Sequence, residues 1–264
     1  MTVQSATDPV PLSQGPAQPP PALGQPILVL GGFLISPEAY QPMGEELRRL
    51  SQQPVVVVPV NKLDWLLTVF PFGWARILDR VATAVQALVA ASATGKVTLI
   101  GHSSGGIMLR LFLADGPFEQ RHYRGRERAD TLVMLGSPHT AIKATPLRRL
   151  VAEQLPGAWF GRPSERHPVR YVSVAGDLPL QDPGVTSTAR RLAPTAYRNS
   201  TGRSDDRGDG LVPVSAALLA GSETLVLQGV AHGGAFGSRW YGSPDVVQLW
   251  WRQLVQPSRS DRPA

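Results

Sequence analysis

Lys96-Val97-Thr98-Leu99-Ile100-Gly101-His102-Ser103-Ser104-Gly105-Gly106-Ile107-Met108-Leu109-Arg110-Leu111-Phe112-Leu113 is the stretch that decides the reading of this 264-residue chain. Its first five residues form a short β-rich run of the kind buried on both faces of a sheet. Its last seven read as an amphipathic helix. Between them stands Gly-x-Ser-x-Gly. A serine carried on so sharp a strand-to-helix turn is strained, and its neighbours two residues away must be small for strand and helix to approach. The turn lifts the hydroxyl above the sheet at the positive end of a helix, where developing negative charge is favoured. With 26 Gly and 19 Ser the bare pattern arises by chance in roughly one such chain in five or six, so the flanking strand and helix carry the argument.

Outward from the turn the chain keeps one rhythm. Short apolar runs recur at 27–30, 55–60, 97–100, 131–135, 169–175 and 225–227, and helix-like stretches lie between several of them. Residues 37–50 place Tyr40, Met43, Leu47 and Leu50 on one face, and 77–91 do so with Ile77, Val81, Val85, Leu88 and Val89. Stretches 106–114, 215–219 and 245–255 behave similarly. The alternation predicts an α/β fold with a mostly parallel central sheet covered by helices on both faces, its chemistry at the carboxyl ends of the strands.

A serine hydroxyl becomes a nucleophile only beside a base, normally a histidine held by an acid. The chain has five histidines. His102 lies inside the turn and is pinned beside it. His122 and His167 fall in loops, and His139 follows a strand near an insertion. His232 comes directly after the last strand, where this fold places its base, and Gly233-Gly234 lets the loop fold over the sheet end. For the acid, spacing leaves Asp177 and Asp209 open, since both follow the fifth run and both give the order Ser, Asp, His. An oxyanion needs two backbone N–H donors. Ser104, the residue after the nucleophile, supplies one, and Phe33, in the loop after the first strand, is the candidate for the other.

Composition bounds the rest. The chain is 42% hydrophobic and 17% charged, which fits a globular core and argues against a wholly disordered chain. The absence of cysteine excludes disulfides, thiolate metal sites and cysteine nucleophiles. Neither a secretory signal nor a membrane-length apolar run is visible, so the sequence predicts a cytoplasmic protein. The net charge of +6 comes from 23 scattered Arg and only 3 Lys, a solvated surface rather than a nucleic-acid footprint, with weak attraction to a membrane surface as the alternative. Residues 1–26 read as a proline-rich disordered leader, 27–255 as the domain and 256–264 as a polar tail.

The chain resembles the α/β-hydrolase superfamily, and within it the lipase-like serine esterases. It is most similar to hydrolase-fold proteins of plants and cyanobacteria related to GPI-inositol deacylases. The matching residues are Val29-Leu30-Gly31-Gly32-Phe33-Leu34, Val57-Val58-Pro59-Val60 with Asp64-Trp65-Leu66, and the turn from Gly101 to Gly106. Others are Leu135-Gly136-Ser137-Pro138-His139, the stretch 208–214, Gly229-Val230-Ala231-His232 and Trp240-Tyr241-Gly242-Ser243. The resemblance implies Ser103 as nucleophile, His232 as base and Asp209 as acid, because in related lipases the acid precedes a Val-Pro-like turn. It also implies hydrolysis of a small-molecule or lipid ester through an acyl-serine, with no cofactor. A thioesterase, an acyltransferase and an inactive binding module are the alternatives. One departure stands out: Gly31-Gly32 replaces a common His-Gly, which removes a side chain that buttresses the oxyanion loop.

The apolar stretch 63–74 reads either as a core-packing loop or as one wall of an acyl pocket or a surface that touches lipid, and Leu34, His102, Trp65 and Phe70 are expected around the substrate. Residues 140–168 read as a lid-like insertion, rimmed by Trp159 and Phe160. Asp205, Asp206 and Asp209 do not make an EF-hand, because Arg207 and Ala216 stand where ligands are needed, so no metal is expected.

Overall fold

The structure, a computed structural model, describes residues 24–144 and 169–255. The leader up to residue 23, most of the expected lid (145–168) and the tail (256–264) lie outside the described residues. Six strands, β1 (Ile27–Leu30), β2 (Val55–Val57), β3 (Val97–His102), β4 (Ala129–Leu135), β5 (Arg170–Asp177) and β6 (Glu223–Gln228), form one sheet in the order β2-β1-β3-β4-β5-β6. Every neighbouring pair is parallel. β1 and β3 are buried throughout, as near-continuous apolar runs require.

Side chains of successive strand residues point to opposite faces, and this period of two separates two cores. Leu28, Leu30 and Leu99 pack against Ile77, Leu78, Val81 and Val85 of the helix Pro71–Ala90 and against Met108 and Phe112 of the helix Ser104–Phe112. On the other face Ile27, Val29 and Ile100 meet Met43 and Leu47 of the helix Gln41–Ser51, together with Val246, Trp250 and Trp251 of the helix Pro244–Val255. The chain leaves β1 toward β2 on one side of the sheet and leaves β3 toward β4 on the other. The carboxyl ends of β1 and β3 therefore flank a topological switch point, where a ligand crevice opens in such sheets.

Three segments differ from the sequence expectation. The fold reaches past the expected leader boundary: Gln25 is buried, and its amide donates to Thr98 Oγ1 and Asp130 Oδ1. The stretch 63–74 is not a loop. Asn61 and Asp64 make a reciprocal capping box for a short helix, Lys62–Leu66, a 3₁₀ turn follows, and Pro71 opens the long helix at the position where its missing N–H costs nothing. The helix Ser187–Thr201 has only a thin apolar stripe in its sequence, because it buries only Ala189, Ala193 and Tyr197 and carries Pro194 inside it. The Thr186 side chain caps its start and left-handed Gly202 ends it.

Candidate active site

Ser103 sits between β3 and the helix Ser104–Phe112 with φ 53° and ψ −123°, a conformation a non-glycine residue rarely adopts. The surroundings enforce it. A Cβ on Gly101 would lie 2.4 Å from Gly106 Cα, and one on Gly105 would lie 2.3 Å from the Leu30 carbonyl oxygen. Only glycine lets strand, turn and helix come this close, and the Ser103 N–H is tied to the Leu135 carbonyl at 2.8 Å. The hydroxyl thus stands at the carboxyl edge of the sheet, at the amino end of the helix.

His232, after β6, comes to this hydroxyl from the far side of the sheet. Its Nε2 lies 3.0 Å from Ser103 Oγ, and its Nδ1 lies 2.8 Å from Asp209 Oδ2. A carboxylate only accepts, so Nδ1 carries the proton and Nε2 is left bare toward the serine. Backbone bonds hold the ring as well: the His232 N–H donates to the Asp209 carbonyl at 2.8 Å. Asp209 occupies a tight turn closed by the Gly208–Pro213 bridge, and its buried carboxylate is fully engaged. Oδ1 accepts the N–H groups of Leu211 (3.0 Å) and Val212 (2.7 Å), and Oδ2 accepts His232 and the Tyr241 hydroxyl (2.9 Å). Burial and the nearby carboxylate push the Tyr241 phenol well above its usual range, so it remains a donor. The Gly176 N–H fixes its oxygen from behind at 2.6 Å.

The other candidates go elsewhere. Asp177 pairs with Arg207, whose Nε donates to Oδ2 at 2.9 Å, and the structure brings Asp209 rather than Asp177 to His232. His139 is buried against Arg110 with Nδ1 2.9 Å from Nη1, and burial followed by the arginine charge holds it well below the usual imidazole range. His122 is exposed, and His167 lies outside the described residues. Asp205 and Asp206 pair with Arg203.

Two cavities meet at Ser104 and Phe33. The larger, about 820 Å³, reaches Ser103 and His232 and is walled by Leu34, Pro138, Leu211, Val212 and Phe236. The smaller, about 130 Å³, lies among Phe33, Trp65, Val69, Trp74, Ser104 and Ile107. Among the described residues, none accepts a hydrogen bond from the N–H groups of Phe33 and Ser104. Two expected pocket residues are corrected. Phe70 lines neither cavity but stacks on Phe72 at 5.5 Å in solvent. His102 also lines neither: it ends β3 with its ring turned to the opposite face, fully buried between Tyr40, Trp240 and Tyr241.

Sequence reasoning missed Tyr40 and Tyr241 as members of the site. Tyr40 was legible only as one more apolar-face residue of a helix, and Tyr241 only as part of a Trp-Tyr-Gly-Ser match.

A six-stranded parallel sheet with a serine on the turn after its central strand is the architecture of the α/β-hydrolase fold. The solved structure of the mature lipase BlEst2 of Bacillus licheniformis matches this chain with a TM-score of 0.58 at 15% identity, over 92% of this chain and 96% of that one. The lin2722 gene product of Listeria innocua matches with a TM-score of 0.51 at 12% identity, over 89% and 96%. At these identities the likeness is one of fold. No protein-family model and no curated protein sequence matches the chain.

Proposed function

We propose that the protein is a serine hydrolase that cleaves carboxylic esters through an acyl-serine intermediate. The observation that carries this reading is the unbroken chain from Ser103 Oγ through both ring nitrogens of His232 to Asp209, opening into the large cavity. As Oγ attacks the ester carbonyl, its proton passes to His232 Nε2. The carbonyl oxygen becomes an oxyanion received by the Phe33 and Ser104 N–H groups. The imidazolium then gives its proton to the departing alcohol, and the carbonyl reforms as acyl-serine. Water, deprotonated by the same Nε2, attacks next. Its proton goes to the leaving Ser103 oxygen, which releases the acid. Asp209 holds the tautomer and offsets the transient charge on the ring. This chemistry calls for no metal or cofactor.

Lipid or other acyl esters are the substrate class this reading favours. Leu63, Leu66, Val69, Phe70 and Phe72 are each at least half exposed and lie in the same stretch that contributes Trp65, Val69 and Trp74 to the smaller cavity, a surface suited to transient contact with lipid. The finer likeness to proteins related to GPI-inositol deacylases rests on the sequence stretches alone. Among the described residues no helix is long and apolar enough to cross a membrane.

The test is product analysis on a p-nitrophenyl ester series, with and without added alcohols and beside a matched thioester. Release of free acid from the esters supports the proposal. Transfer to the alcohol, or turnover of the thioester alone, would replace it with an acyltransferase or a thioesterase.

A further inference from the structure

We infer that Tyr40 and His102 are positioning residues that lock the oxyanion loop to the backbone of the catalytic histidine. This rests on the serine-hydrolase reading above. The Gly32 N–H lies 2.7 Å from the Tyr40 hydroxyl, that hydroxyl lies 2.7 Å from His102 Nδ1, and His102 Nε2 lies 2.8 Å from the His232 carbonyl oxygen.

The direction of every bond in this chain is forced. A backbone N–H only donates, so the Tyr40 oxygen accepts from Gly32. A carbonyl only accepts, so His102 carries its proton on Nε2 and its Nδ1 is bare. The Tyr40 O–H therefore donates to Nδ1. Each imidazole nitrogen of His102 has its partner, and no alternative tautomer satisfies both ends. Tyr40 and His102 are both fully buried. Burial first, and the neighbouring His232 second, hold His102 well below the usual imidazole range, so it stays neutral and its tautomer persists. Burial likewise keeps the Tyr40 phenol protonated.

Two consequences for the reaction follow. With the Gly32 N–H spent on Tyr40, the next amide, that of Phe33, is the one left for the oxyanion. The loop also has nowhere to retreat: a Cβ on Gly31 would lie 2.5 Å from the Tyr40 ring, and one on Gly32 would lie 2.9 Å from Ser103 Cβ. The far end of the same chain grips the His232 main chain, whose ring faces Ser103. One hydrogen-bonded thread thus sets the oxyanion donor and the base relative to each other.

The experiment compares wild type with Tyr40→Phe, His102→Leu, His102→Gln and the Tyr40→Phe/His102→Leu double variant. It reads kcat and KM on p-nitrophenyl butyrate, the rate of fluorophosphonate labelling, and the exchange rate of the Gly32 amide by NMR. Tyr40→Phe keeps the packed ring and removes only the hydroxyl. Its kcat and labelling rate should fall about 10- to 100-fold, as for a displaced transition-state donor, with KM close to wild type. The Gly32 amide should exchange faster. His102→Gln, which keeps a donor and an acceptor, should recover part of what His102→Leu loses. The double variant should be no worse than the poorer single one, because both break one thread. A wild-type kcat in Tyr40→Phe, or losses that multiply in the double variant, would overturn the inference. So would an unchanged Gly32 amide, which needs no substrate. A wild-type protein that neither turns over ester nor takes the label would overturn the hydrolase reading itself, and with it the positioning role, even if the Gly32 amide still responds.

Discussion

Asp209→Asn exchanges one carboxylate oxygen for an NH₂ group inside a fully buried cluster. The remaining oxygen can keep the Leu211 and Val212 N–H groups, which lie 3.0 and 2.7 Å from Oδ1. The new NH₂ then faces two donors, His232 Nδ1–H and the Tyr241 hydroxyl. Each buried donor left without an acceptor costs about 1–3 kcal/mol, so the ring is driven to move its proton to Nε2. That nitrogen then points an N–H at Ser103 and can no longer take the serine proton. The expected loss in kcat is about 10⁴-fold, with a lowered urea midpoint. Asp177→Asn is the matched control, because among the described residues the Asp177 carboxylate is bonded by Arg207 and not by His232, and its loss should leave turnover near wild type. Both variants are assayed on p-nitrophenyl butyrate and unfolded in urea. A collapse of activity in Asp177→Asn with Asp209→Asn unaffected would refute this assignment of the acid.

Four further outcomes are expected. Gly105→Ala should fail to fold or lose several kcal/mol, because its Cβ meets backbone oxygens of Leu30 and Gly31, whereas Gly233→Ala, with nothing within 4 Å, should be tolerated; thermal melts compare them. Tyr241→Phe should reduce kcat without abolishing it, since Asp209 keeps three of its four donors, and steady-state kinetics reads the difference. Stability should fall on acidification from pH 7 toward pH 5: His102 and His139 are depressed in the fold, so below about pH 6.5 the unfolded chain binds protons that the folded chain refuses. Unfolding free energies from urea titrations across that window should decline by up to about 1.4 kcal/mol per pH unit per histidine, and a flat profile would contradict the burial of both. Finally, Lys62 and Lys143 line the larger cavity, and no carboxylate of the described residues does. Esters carrying a distal carboxylate should show lower KM than neutral isosteres, and the Lys62→Gln/Lys143→Gln variant should lose that preference.

The fold was legible because doubly buried strands must be apolar throughout and because the turn at Ser103 dictates its own glycines. What escaped were elements whose stabilisation is not hydrophobic periodicity. The helix Ser187–Thr201 buries two alanines and a tyrosine, too thin a stripe to register, and the helix at Lys62 is announced only by its Asn61–Asp64 capping box. At the site, Ser103 and His232 could be located from order along the chain. Spacing left Asp177 and Asp209 level, since the choice depends on how the turn at Gly208–Pro213 aims one carboxylate and on Arg207 occupying the other. The partnership of Tyr40 with His102 spans 62 residues and carries no motif, so only the folded arrangement reveals it. His102 was misplaced for a different reason: alternation along β3 turns its ring to the core face beside Tyr40 and Tyr241, away from the cavity.

On this reading Ser103 is an activated nucleophile. The most direct measurement is labelling of the folded protein with a fluorophosphonate, beside Ser103→Ala and His232→Ala, with the modified peptide mapped by mass spectrometry. A single adduct on Ser103, absent from Ser103→Ala and slowed by several orders of magnitude in His232→Ala, is the expected result. An unlabelled folded protein, or an adduct on another residue that persists in Ser103→Ala, would contradict the account.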